Sequence, residues 1–463
     1  MKYYFFKILS IFGFCLVIFT SQNLNAQTSS VSPYSRYAFG DIASNPHSSF
    51  FGLSGTSLSL CDSFQFNSHN PASYSFLMRH RPIFDVGVGA QYLNMASSTS
   101  EATASTFGLK AISMGLPISP RWGISFGITP ISSIGYSFST HETNAVIGDI
   151  THKFDGKGGI NRLYTGTSFF VVNNSQHKFS VGMNLAYLFG SLKTSNRAII
   201  DNQNINSGFL HAKTTQNTFI SDFVLEGGFL YRGKLNSTSF FNFGGSLNAS
   251  SKLYAKREFL SHSFNDLVTE SLVDTVEYRE SQWGRIYFPK KIGFATSLEK
   301  RIPYKNNLNA FRRLIFTVQY DLQDWGSYSE VFKYENNVTD SITDGMRNSR
   351  NYSFAIQYNP FSSSIIGPEE KWWKISTYRL SFSSSSTYLQ INDTQLKQYG
   401  IGFGIGIPLI NSLSFSLLNI GVEAGKRGSL DSGLIEESFI NVNLGITISP
   451  HRNDPWFIKR KYD

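Results

Sequence analysis

Apolar residues recur at every second position through most of this chain, and that pattern fits a strand with two unlike faces better than any helix. In YGIGFGIGIP, Tyr399, Ile401, Phe403, Ile405 and Ile407 share one face, and Gly400, Gly402, Gly404 and Gly406 share the other. In INVNLGITI, Ile440, Val442, Leu444, Ile446 and Ile448 stand opposite Asn441, Asn443, Gly445 and Thr447. Residues 314–323 place Thr317, Gln319, Asp321 and Gln323 on one face, and residues 352–359 repeat the design. About fourteen such segments centre on 82–93, 103–116, 121–136, 160–173, 178–192, 216–232, 238–256, 290–301, 312–325, 350–360, 372–390, 397–408, 413–424 and 434–449. The second and seventh slip phase, which predicts bulges.

A wall that is apolar on one face and small or polar on the other suits a barrel in lipid. Composition agrees: charged residues are only 16%, while Phe (41) and Tyr (23) are abundant. After residue 26 no run approaches about 18 apolar residues, so helical spans are not expected. Long connections (137–159, 193–215, 257–289, 326–349) mostly alternate with short ones (117–120, 174–177, 233–237, 302–311, 409–412), as outer loops alternate with periplasmic turns. The expected fold is all-β, a transmembrane antiparallel barrel of about 14 strands over residues 82–449. A secreted array of β-sandwiches is the rival architecture.

Lys2 and Lys7 precede or flank aromatics, Ile8 to Thr20 is apolar, and SQNLNA follows. This reads as a signal peptide over residues 1–26, cut after Ala26, with the mature chain passing the inner membrane toward the outer one. Polar SQNLNAQTSS argues against an uncleaved anchor. Cys15 falls inside the signal, which leaves Cys61 alone and without an internal disulfide. Net charge is +9, but the basic residues are scattered except at Arg312, Arg313 and the closing FIKRKYD. Nucleic-acid binding is therefore not expected, and the charges suit membrane rims facing outer-membrane lipid.

Residues 27–81 break the pattern. SPYSRYAFGDI, FGLSGTSLSL and SHNPASYSFL are rich in Gly, Ser, Pro and Asn, yet Tyr34, Tyr37, Phe39, Phe50, Phe51, Tyr74 and Phe76 speak against plain disorder. The segment reads as a hatch or plug for the barrel lumen, with a loosely ordered periplasmic lead-in as the alternative. Asn70 and Pro71 predict a tight turn that aims the chain into the first strand.

FGLSGTSLSLCDSFQFNSHNPASYSFL resembles the N-terminal region of the long-chain fatty acid transporter family of outer-membrane barrels (FadL/TodX type). That family carries a small-residue segment leading to Asn-Pro-Ala before strand one, matched here by Asn70, Pro71 and Ala72. The opening SPYSRYAFGDI and closing DPWFIKRKYD are similar to Bacteroidota members of this broad group. The resemblance implies passive, hatch-gated uptake of a hydrophobic small molecule, with a lateral path where the third strand kinks. Pro130 falls in the middle of the third segment and removes a ladder donor, which makes it the candidate lateral window. A bulge without consequence for transport is the plainer reading. Related barrels also serve as carriers in a dedicated protein secretion system. The rival function is thus a non-transporting carrier, scaffold or subunit of a secretion or assembly complex with an outer-membrane protein partner. The chain departs from the family in the basic tail, residues 450–463, beyond its last strand.

Catalytic motifs dissolve on inspection. GISFG around Ser125 lacks the strand–turn–helix of a nucleophile elbow, because Trp122, Ile124, Phe126 and Ile128 alternate straight through it. GIGFGIG precedes no helix, GVEAGKRG lacks the phosphate-loop spacing, and the glycines read as a slim inner face for the hatch. His141 with His152, and His69 with His80, lack metal-ligand spacing. Glu369–Glu370 and Glu436–Glu437 would point to opposite faces of a strand. An enzyme, a metal and a cofactor are not expected.

Overall fold

The computed structural model describes residues 30–43, 47–65, 67–79, 81–144, 148–200, 209–265, 267, 269–304, 307–334, 339–342, 345–363, 371–410, 414–430 and 433–450. Residues 1–26, expected to be a signal peptide, and the basic residues beyond Pro450 lie outside the described residues.

After the two-residue β1 (Asp41–Ile42), the wall begins with β2 (Ile83–Ala96), β3 (Glu101–Pro117), β4 (Trp122–Asn144), β5 (Gly148–Asn173), β6 (His177–Ile200) and β7 (His211–Asn236). β8 (Ser239–Asn248) and β9 (Ser251–Phe264) form one interrupted stave, and β10 (Leu272–Phe288) with β11 (Lys291–Tyr304) the next. β12 (Asn307–Gln323) follows, then a hairpin of β13 (Glu330–Tyr334) and β14 (Thr339–Ile342). β15 (Ser349–Ser363), β16 (Thr377–Ile391), β17 (Thr394–Ile410), β18 (Ser414–Arg427) and β19 (Glu436–Pro450) complete the ring. β19 pairs back onto β2 from Glu436↔Ala96 to Ile448↔Phe84, so the 14-stranded antiparallel barrel is closed. Closure pairs the last strand with the first, which is what lipid demands of a sheet.

Each expected segment corresponds to one stave, and both phase slips have a structural cause. In β3, Leu109 and Ala111 pair with Val88 and Gly87, leaving Lys110 as an extra residue. The seventh segment contains the interruption between β8 and β9. Outward positions carry large apolar groups such as Phe126, Leu163, Phe223, Ile401 and Phe403, all exposed. Inward positions are small or polar and buried, as at Ser113, Ser168, Ser297, Thr317 and Ser381.

The long connections differ from expectation. Residues 137–144 and 148–159, 193–200 and 211–215, and much of 257–289 continue as strand, and β4 to β7 run 23, 26, 24 and 26 residues. Spanning a bilayer takes about 9–11 tilted residues, so these strands project well beyond it. Outside lipid both faces meet water, the apolar alternation ends, and the hydrogen-bond ladder continues without it. The fourth connection holds the β13–β14 hairpin, whose β13 pairs with β10 from Ser281↔Tyr334 to Ile286↔Glu330.

Ion pairs brace the projecting strands. Arg197 bonds Glu270 at 2.6 Å and also meets Asp155, and Lys213 meets Glu270. The hydrogen bond from Lys213, then the Arg197 charge, hold the Glu270 carboxyl below its ordinary range against burial. Burial raises the Asp155 carboxyl, but hydrogen bonds from Ser137 and Arg197 prevail and lower it. Depressed carboxyl pKa values contribute stability above the unfolded value, and it is lost as pH falls through the folded one. Hydrogen-exchange protection in the β6–β7 hairpin is therefore expected to hold from neutral pH to pH ~5 and to fall below pH ~4. Constant protection down to pH ~3 would remove these pairs as a brace.

Candidate functional site: the barrel lining and the segment packed against it

The N-terminal segment lies against the inward face of the wall. Tyr34, Phe39, Tyr74 and Leu77 share an apolar cluster with Ile134, Ile160, Tyr164, Leu188, Trp325 and Tyr388. Phe50, Leu53 and Leu60 pack on Ile315 and Ala355. The glycine face read from β17 meets this segment: a methyl on Gly404 would overlap the Phe51 carbonyl. Likewise a methyl on Gly182 of β6 would sit 2.5 Å from the Pro71 carbonyl carbon.

Asn70, Pro71 and Ala72 open a 3₁₀ helix, Pro71–Phe76, in place of the expected tight turn. The Asn70 side chain caps it, accepting from Ala72 N at 3.1 Å. Its amide donates to Leu58 O at 2.7 Å within the segment and to Phe229 O of β7 at 2.9 Å. Pro71 holds the first helical position, where a missing N–H costs nothing. Thus Asn70 ties two parts of the segment to the wall in addition to capping.

Two charged clamps, through Asp62 and Asp41, and one polar cluster, through Tyr74, hold the segment. Glu299, with its side chain fully buried, receives Arg232 at 3.0 Å, Arg301 at 2.7 Å and Arg313 at 3.1 Å, and Arg313 also bonds Asp62 of the segment at 2.7 Å. Arg427 joins Asp41 at 2.8 Å, Glu437 at 2.5 Å and Ser32 at 2.7 Å. Arg162 pairs with Glu226, which also takes a bond from Asn184 at 2.9 Å. Asn184 in turn accepts from the Tyr74 hydroxyl at 2.9 Å. The residues that join segment to wall in each cluster are far apart in the sequence, so no local pattern announced them.

A fourth contact has the order of a nucleophile relay. His47 Nε2 lies 2.5 Å from Ser68 Oγ, and His47 Nδ1 lies 3.4 Å from Asp85 Oδ2. All three residues are 1% exposed or less. Asp85 is further bound by the Ser48 backbone N–H at 3.1 Å and by Thr447 at 2.9 Å. Without access for a carbonyl the arrangement acts as a brace between the segment and β2. Ser125, the sequence motif's serine, is buried in β4.

Pro130 sits at a discontinuity in the wall. β3 pairs with β4 only from Pro117↔Gly123 to Ile112↔Ile128. Beyond that point Ile131 forms a bulge against β5, and β4 turns its other edge to the N-terminal segment. β1 pairs there, Asp41↔Ser133 and Ile42↔Ser132, and Ala43 N donates to Ile131 O at 2.7 Å. Ser35 Oγ then accepts from Gly135 N at 3.1 Å. The edge that β3 leaves is therefore covered by residues 35–43.

Aromatic rings close over this region. Phe39 contacts Phe288 (5.6 Å), Trp325 (6.2 Å) and Tyr328 (5.5 Å), and Trp325 stacks on Tyr388 at 4.1 Å. The Tyr388 hydroxyl donates to Gly40 O at 2.8 Å. A cavity of about 390 Å³ beyond them is lined largely by polar groups, including Gln216, Arg257, Arg279, Thr339 and Ser341. Among the described residues no group of three or more His, Cys, Asp and Glu is placed to hold a metal.

A family model described as BamG matches residues 7–463. No curated protein sequence matches the chain. Among solved structures, a Pseudomonas aeruginosa FadL homologue has a TM-score of 0.56 at 12% identity, covering 88% of this chain and 99% of that one. The CymD monoaromatic hydrocarbon channel has a TM-score of 0.52 at 11% identity, covering 90% and 100%. The Pseudomonas putida toluene transporter TodX has a TM-score of 0.51 at 14% identity, covering 89% and 99%. At these identities the likeness is one of fold.

Proposed function

The chain belongs to the BamG family, and on that premise we propose that it is an outer-membrane barrel that works as a non-transporting scaffold or subunit of a protein assembly. In this reading residues 27–81 are a hatch that stays in place, residues 1–26 are the signal peptide, and the tail from residue 450 faces the periplasm. The observation that carries it is the clamping of the hatch. Asp62 and Asp41 of the hatch pair with Arg313 and Arg427 of the wall, and those arginines also hold the wall carboxylates Glu299 and Glu437. Separating one such buried pair costs about 3–5 kcal/mol, so moving the whole hatch for each passage would be slow. Extraction from native membranes in mild detergent is expected to recover a stoichiometric outer-membrane protein partner. A monomer carrying lipid or hydrocarbon inside the barrel would overturn the reading.

The second reading is hatch-gated uptake of fatty-acid-like compounds. It is favoured by the fold shared with hydrocarbon channels and by the gap between β3 and β4 beside Pro130. Under the scaffold reading, vesicles containing the barrel take up labelled fatty acid no faster than empty vesicles. Uptake by the wild type that Pro130→Val abolishes, with the barrel intact, would establish transport and a lateral window instead.

A further inference from the structure

Arginines that reach the inside of the barrel are paired with carboxylates. Arg162 meets Glu226, Arg232 meets Glu299, Arg257 meets Glu330, Arg313 meets Asp62, and Arg427 meets Asp41. Arg379 of β16 differs. It is 1% exposed, and among the described residues both of its Nη atoms reach only the Asn419 side-chain oxygen, each at 3.3 Å. Its Nε is buried without a hydrogen bond. Asp62, whose field reaches Arg379, is already bonded to Arg313 at 2.7 Å.

The surroundings fix Asn419 in that orientation. Its amide nitrogen donates to Ser48 Oγ and Thr447 Oγ1, both at 3.3 Å. Those hydroxyls donate to Asp85, so its oxygen is left for Arg379. Asp85 is thus kept at a remove, behind an amide and a hydroxyl. A guanidinium holds its proton far more firmly than a buried Lys does. A buried cation without a counter-charge costs several kcal/mol. Gln357, directly across the β15 ladder from Arg379, has a buried side-chain oxygen that also lacks a hydrogen bond. Amide orientations follow from the surrounding network, and a half-turn would present N–H groups toward Arg379.

We propose that Arg379, with Gln357 beside it, binds a small inorganic anion of the halide class. Space sets the size: a methyl on Gly406 would already lie 3.0 Å from Arg379 Nη2 and from the Asn419 oxygen. Such an anion completes the charge balance where the hatch residue Ser48 meets β18 and β19, and it does so whether or not the barrel transports. The test uses the full barrel in detergent, melted in sodium bromide and in sodium gluconate at equal ionic strength. The wild type is expected to show a saturable bromide-dependent rise in Tm of roughly 2–6 °C, and Arg379→Met to show none. Anomalous diffraction from bromide-soaked wild-type crystals is expected to give a peak within hydrogen-bond reach of Arg379, and it decides the matter if the variant does not fold. The same bromide response in both proteins, or a map without that peak, would overturn the site.

Discussion

Glu299→Ala is expected to expose Cys61 to thiol reagents, raising its alkylation rate roughly a hundredfold or more while the wild type stays protected. Cys61 is 5% exposed, and its carbonyl accepts from Arg313 at 3.3 Å and lies 3.5 Å from Arg232. Both arginines converge on Glu299 together with Arg301. Removing that carboxylate leaves three guanidinium groups facing one another around the buried end of the clamp. Breaking a buried pair on one side costs about 3–5 kcal/mol, and each ~1.4 kcal/mol is a tenfold change in an equilibrium. When local opening is fast relative to alkylation, the rate follows the open population. Mass spectrometry of the peptide carrying Cys61 reads the effect. Glu299→Gln, which keeps an acceptor, is expected to fall between the two. An unchanged rate in Glu299→Ala would mean that apolar packing, and not the clamp, holds the hatch.

Under the scaffold reading the barrel is silent, and Gly182→Leu combined with Gly244→Leu is expected to convert it into a conducting pore. Both glycines face inward where the N-terminal segment's backbone passes, Gly182 against Pro71 and Gly244 against the Leu58 carbonyl. Added side chains there must displace the hatch, since overpacking a close contact costs about 1–3 kcal/mol per site. The wall itself is unharmed in principle, because both positions lie within regular ladders of β6 and β8. Heat-modifiable migration reports that the barrel has folded, and single-channel recording in a planar bilayer reports conductance. An intact double variant that remains silent with Cys61 protected would show that the hatch can yield without leaving. Wild-type conductance at the outset would argue against the scaffold reading.

The staves were legible because each wall residue has only two choices, lipid or lumen. Tyr399, Ile401 and Phe403 declare one side while Gly400, Gly402 and Gly404 declare the other. The same logic explains the misread connections. In β4, residues such as Thr140 to Thr143 meet water on both sides, so strand continues there without a signature. Pro130 was visible as a missing donor, but the pairing of Asp41 and Ile42 with Ser133 and Ser132 was not. A two-residue strand formed from a Gly/Ser-rich segment has no period to read. Asn70 and Pro71 advertised a chain-direction change, and the structure made it a capped 3₁₀ helix.

By itself the sequence determined the barrel, its strand number and the separate character of the first eighty residues, because alternation and composition are local properties. Tertiary structure alone decided how those first residues engage the wall. Glu299 finds Arg232 and Asp62 finds Arg313 only after the sheet closes, and closure is what brings distant inward faces within hydrogen-bond distance. Arg379 belongs to the same class: its lack of a carboxylate becomes meaningful only once the fold buries it away from water.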